Sequence, residues 1–165
     1  MRNIFYIALL IFSVIMQVTF AEALSIKNVV PDFSIIVLFV MSMKRERYLG
    51  TLAGFCTGLL FDSISAGALG LHALAKTIAV FISGSIFQKR PILHLYEVIV
   101  VFFFISFVHF FVLHIVSFIG KPEFWGSMFR VMLPAQIYTV VVMFVAFYFL
   151  PASYWRRTIL RLKKL

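Results

Sequence analysis

Six apolar runs, at residues 4–24, 29–43, 48–62, 69–87, 94–118 and 128–150, make up most of this 165-residue chain, and the links between them are short. Hydrocarbon offers no hydrogen-bond partners, so such runs must satisfy their backbone groups internally, and each therefore predicts a helix. The chain is 63% hydrophobic and only 13% charged, against roughly 25% charged in soluble domains. The expected fold is that of an all-α integral membrane protein, a compact bundle of six transmembrane helices forming a single domain, because no polar segment is long enough to build a soluble module.

The net charge of +9 would suggest a nucleic-acid partner in a soluble protein. Here the basic residues sit in short segments flanking apolar runs, where they set orientation in the bilayer, and no nucleic acid is expected. With six spans, one side receives Arg2, Lys44, Arg45, Arg47, Lys89, Arg90, Arg156, Arg157, Arg161, Lys163 and Lys164, and the other only Lys27, Lys121 and Arg130. Both termini should be cytoplasmic. Residues 154–165 place Trp155, Ile159 and Leu162 on one helical face and Arg157, Arg161 and Lys164 on another, the pattern of a basic amphipathic helix on an anionic membrane surface. The first run has an alternative reading, a signal peptide with Ala21-Glu22-Ala23 as a small-x-small cleavage site.

Within residues 48–76, Gly50, Gly54 and Gly58 recur every fourth position and Asp62 follows at the same spacing. A helix here carries three glycines and a carboxylate along one stripe, a surface that lets another helix come close. Ala75, Ala79 and Ser83 form a small-residue stripe on the next run that could pack against it. Runs two and three are short, the second opening at Pro31-Asp32, and the basic link Lys44-Arg45-Glu46-Arg47 joins them as a hairpin. Their far ends should stop below the opposite surface. That leaves an outer polar depression around Asp32, Asp62, His72 and Lys76, with Asp62 expected to pair with Lys76. Residues 120–126 read as an interfacial loop, Trp125 favouring the headgroup level.

Chemistry is sparse. Cys56 is the single cysteine, which excludes a disulfide within the chain and multi-cysteine metal sites. His109 and His114 lie five apart, about 140° around a helix, so they do not make an adjacent-turn metal pair and are expected to be hydrogen-bonded within or near the edge of the bundle. No phosphate loop, paired-histidine zinc motif or Gly-x-Ser-x-Gly elbow occurs. The expectation is a protein that is not an enzyme and holds neither metal nor cofactor.

The order Pro31-Asp32-Phe33, a basic hairpin, Gly54-x-x-x-Gly58-Leu59-Leu60-x-Asp62 and then Leu69-Gly70-Leu71-His72-Ala73-Leu74 resembles the rod shape-determining protein MreD family over about residues 30 to 85. The resemblance implies a non-enzymatic, multi-pass scaffold subunit of the bacterial cell-elongation machinery in the cytoplasmic (inner) membrane. Its implied partners are MreC directly and, through it, MreB, the glycosyltransferase RodA and a penicillin-binding transpeptidase, directing lateral peptidoglycan synthesis and cell shape. It also implies a six-helix fold like the substrate-binding subunits of energy-coupling-factor transporters. The alternative is therefore a small-molecule or lipid-precursor binding subunit of a transporter. In the first reading Gly50, Gly54 and Gly58 receive partner helices; in the second Asp32, Asp62 and His72 line a ligand pocket.

Overall fold

The computed structural model describes residues 2–20, 23–26, 29–44, 47–65, 68–89 and 95–149. The tail bearing Trp155, Arg157, Arg161 and Lys164 lies outside them, as do Ala21 and Glu22 of the cleavage pattern.

The described residues form α1 (Arg2–Phe20), α2 (Phe33–Lys44), α3 (Arg47–Ile64), α4 (Leu71–Lys89), α5 (Leu95–Phe118), a one-turn α6 (Phe124–Ser127), a π-helical turn (Met128–Met132) and α7 (Leu133–Phe149). Helices thus form under all six apolar runs. Three stretches, Leu71–Lys89, Tyr96–Phe118 and Phe124–Tyr148, are long and apolar enough to cross a membrane, while the apolar parts of α1 and α2, Ile7–Thr19 and Phe33–Met43, are shorter.

Local chemistry explains the bounds. Pro31 and Asp32 stand just before α2 rather than in its first turn, and Asp32 Oδ1 caps the helix by accepting from the Ile35 N–H at 3.1 Å and the Ser34 hydroxyl at 2.6 Å. Gly120, at φ +79°, ends α5 in the left-handed region that glycine enters without strain. The helix resumes at Phe124, four positions before the expected start at 128, so Trp125 and Gly126 are helical and not part of a loop. Pro134 has no N–H and crowds the carbonyl one turn earlier. Directly before it the backbone widens into the π turn, where the Leu133 N–H reaches the Met128 carbonyl.

The shortest of the helices under the six apolar runs is the centre of the bundle. Helix α2 is apolar on nearly every face, the composition of a helix surrounded by protein, and Ile35, Leu38 and Phe39 are fully buried in it. The Phe39 ring meets Phe87 of α4 and Phe102 of α5 edge-on, at 5.4 and 5.0 Å between centroids, a favoured aromatic geometry. Outside this core, Phe12, Phe55, Phe103, Phe104 and Phe144 are exposed, a surface suited to lipid and unlike that of a soluble monomer.

Helices α3 and α4 pack antiparallel along the glycine stripe. A Cβ on Gly58 would lie 2.5 Å from the Ala73 nitrogen and 2.6 Å from the His72 carbonyl oxygen; on Gly54, 3.1 Å from the Lys76 carbonyl; on Gly50, 3.4 Å from a Val80 methyl. The stripe is therefore occupied by α4 of the same chain, the run expected to pack against it, and does not stand open for the partner helices also expected there. Its counterpart is also different. Ala73, the Lys76 backbone and Val80 face the glycines, whereas Ser83 turns to α2, its hydroxyl 2.6 Å from that of Ser42. Ala75 is fully buried, and Ala79 belongs to the core around Phe39.

Candidate functional site

The antiparallel packing brings the end of α3, the starts of α2, α4 and α7, and the last turns of α1 and α5 to one end of the bundle. Most of the buried polar chemistry of the described residues gathers there.

Asp62 closes the α3–α4 turn. Its carboxylate accepts backbone N–H bonds from Gly70 at 3.0 Å and from His72 and Ala73 at 3.1 Å each, and meets His72 Nδ1 at 2.7 Å. The side chain thus holds the orphan donors at the positive end of α4, which is what a carboxylate does best at a helix start. Gly70, at φ +92°, makes the tight approach possible. Because Nδ1 faces a carboxylate, it carries the imidazole proton, and Nε2 is the nitrogen left for other contacts.

Asp32 holds a second cluster. Beyond capping α2, its Oδ2 lies 3.0 Å from His109 Nε2 and 3.3 Å from Lys76 Nζ, joining α2, α4 and α5. Lys76 and His109 are fully buried. Ionisable groups this deep in an apolar bundle are costly unless paired. The Lys76 ammonium makes no hydrogen bond of good geometry among the described residues, and it also sits 4.9 Å from the centroid of the Phe61 ring, an attractive cation–π distance. Lys76 therefore pairs with Asp32, not with Asp62 as its position in the sequence suggests. Asp62 lies a turn beyond it, opposite the N-terminus of α4.

The strand of backbone before α2 is clamped from both sides. Gln17 of α1 donates to the Pro31 carbonyl at 2.9 Å and accepts from the Phe33 N–H at 2.7 Å, while Thr139 of α7 accepts from the Asp32 N–H at 3.0 Å. These three backbone groups would otherwise be stranded where Pro31 interrupts helical bonding. His114 bonds the Phe124 carbonyl at 3.0 Å, holding the start of α6 against α5.

Beside these clusters lies a cavity of 540 Å³ lined by Gln17, Val18, Val30, Asp32, Phe61, Ile64, Ser65, His72, Phe110 and Leu113. Of the four residues expected around a polar depression, Asp32 and His72 line it. Asp62 and Lys76 stand behind it, turned to structural partners. Sequence reasoning missed Gln17, Thr139 and the partner of His109. One signal could have found the last: Asp32, Lys76 and His109 are ionisable groups in apolar runs, and such groups seek one another.

Nothing in this arrangement assembles a nucleophile with its base, and among the described residues no three His, Cys, Asp or Glu side chains gather as metal ligands. What it does is fix six helices, α1 to α5 and α7, rigidly at one end. Neither a curated protein nor a solved structure matches the chain. The family model described as rod shape-determining protein MreD matches residues 1–157, nearly the whole length and well beyond the segment that carries the motifs. An all-helical bundle with three helices able to cross a membrane agrees with that match, and the chain belongs to the rod shape-determining protein MreD family.

Proposed function

We propose that this protein is a non-enzymatic scaffold subunit of the bacterial cell-elongation complex, a six-span protein of the cytoplasmic membrane with both termini in the cytoplasm. It binds MreC directly and, through it, MreB, RodA and a penicillin-binding transpeptidase, so that lateral wall synthesis follows the cell axis. Family membership carries this reading. A second observation supports it: the residues with chemical potential, Asp32, Asp62, His72, Lys76 and His109, are engaged in holding helices together. A scaffold needs a rigid body with apolar faces left over for its partners. The glycine stripe is not such a face, since α4 covers it; the exposed side chains of α1, α5 and α7 remain.

The direct test is co-purification of MreC from the same bacterium with this chain in mild detergent, followed by site-specific photo-cross-linking from positions 11, 12, 103, 104 and 144. Recovery of MreC with cross-links from one or two of these faces is the expected result. A monodisperse, folded protein that recovers no MreC and cross-links only to lipid overturns the reading.

A further inference from the structure

The cavity at the polar end has features that its structural neighbours do not consume. Helix α5 packs on α4 and α7 and hardly touches α1 or α3, and the cavity occupies the gap this leaves, with Val18 and Ile64, both well exposed, at its margins. In a bilayer such a gap opens sideways to lipid tails. Its volume lies within the range that holds a small ligand, roughly 300–1,000 Å³.

The inner wall sets the chemistry. Asp32 already receives two hydrogen bonds at Oδ1 and faces Lys76 and His109 at Oδ2, and Asp62 is saturated by three backbone donors and His72. Neither carboxylate has capacity left for a cationic head. The Lys76 ammonium that would attract an anion lies under Phe61, which itself lines the cavity. A phosphate entering there would meet the Asp32 carboxylate first, a like-charge contact in a poorly hydrated place. What the wall does offer is uncharged hydrogen bonding. Ser65 Oγ is buried and finds no partner among the described residues, His72 spends Nδ1 on Asp62 and leaves Nε2 as its other ring nitrogen, and the Gln17 amide uses one of its two N–H groups on Pro31. Phe61 and Phe110 add aromatic surface beside these groups.

We infer that this cavity binds an amphiphile with an uncharged, hydroxyl- or amide-bearing head, the head at Gln17, Ser65 and His72 and the apolar chain leaving between α1 or α3 and α5 into the bilayer. The inference needs only the fold, and it is compatible with a scaffold whose shape depends on a resident lipid.

The test uses the full chain in nanodiscs of phosphatidylethanolamine and phosphatidylglycerol, with a diazirine-bearing 1-oleoylglycerol as the probe. Saturable labelling of residues in α1, α3 or α5 around the cavity is expected, competed by unlabelled 1-oleoylglycerol and not by its phosphate ester or by oleylamine. Ser65→Ala removes a hydroxyl that has no partner among the described residues, so it should leave thermal stability unchanged and weaken competition about fivefold, the worth of one neutral hydrogen bond. Val18→Trp should block labelling at the cavity margin. Labelling that never saturates marks ordinary lipid contact and overturns the inference. So does equal competition by the charged analogues, or labelling indifferent to both substitutions.

Discussion

Gly58 is the position at which the α3–α4 contact can be measured against its neighbours. An added Cβ would sit 2.5 Å from the Ala73 nitrogen and 2.6 Å from the His72 carbonyl oxygen. Both are backbone atoms, and the Ala73 Cα lies closer still, so no rotamer change relieves the overlap, and α4 must retreat by more than about 1 Å to restore van der Waals contact. Overpacking of this kind costs about 1–3 kcal/mol. The retreat also stretches the bonds from the Gly70, His72 and Ala73 N–H groups to Asp62, one turn away on the same face, and each hydrogen bond to a charged group is worth about 1.5–3 kcal/mol. Gly58→Ala should therefore destabilise the protein by about 3–5 kcal/mol. Gly54→Ala meets the Lys76 carbonyl at 3.1 Å, a mild overlap worth about 1 kcal/mol. Gly50→Ala meets nothing closer than a Val80 methyl at 3.4 Å, and the better helix propensity of alanine should leave it neutral or slightly stabilised. Steric trapping, or unfolding in mixed micelles of dodecyl maltoside and dodecyl sulfate, would read the series. Equal stability of the three variants, or Gly50→Ala as the worst of them, would refute the packing described above.

Lys76→Met leaves the Asp32 carboxylate buried beside His109 alone and should cost about 3–5 kcal/mol, whereas Lys76→Met combined with Asp32→Asn should recover much of that loss; a double variant no better than the single one, by the same unfolding assay, contradicts a coupled pair. Gln17→Ala removes both α1 hydrogen bonds to the Pro31–Phe33 backbone, leaving that from Thr139, and should cost about 2–3 kcal/mol, while Gln88→Ala, on an exposed site of α4, should change stability by less than about 0.5 kcal/mol.

Much of the architecture could be read from the chain because bilayer chemistry leaves few options for an apolar run. The glycine stripe was visible in the fourfold spacing of Gly50, Gly54 and Gly58, and run four was legible as a helix that could cover it, but the face it uses, Ala73, the Lys76 backbone and Val80, was not. A small-residue stripe says only that something comes close, and α4 in the same chain satisfies it as well as a partner would. Asp62 was legible as a helix-end carboxylate because a small-residue turn follows it. The partner of Lys76 was not, because a residue's depth along α4 depends on how α3 and α4 are registered against each other, which spacing alone does not give. His109 lies 77 positions from Asp32, and no periodic pattern reaches that far. The central place of α2 was not read from its short run, although the helix is apolar but for Ser34 and Ser42 from Phe33 to Met43, and the early start of α6 was hidden by Pro122 and Gly126, which read as loop residues.

One measurement bears most directly on the proposed placement of this bundle in the membrane. Helix α3 puts Tyr48 and Ser63, both exposed, at opposite ends, about 22 Å apart along its axis, with Ser63 at the end that holds Asp62, Asp32 and His72. In a Cys56→Ser background, Tyr48→Cys and Ser63→Cys can be reacted with a membrane-impermeant maleimide in spheroplasts and in inverted vesicles. The account predicts that position 63 reacts from the outer side and position 48 only from the cytoplasmic side. Reaction of both from one side would contradict it.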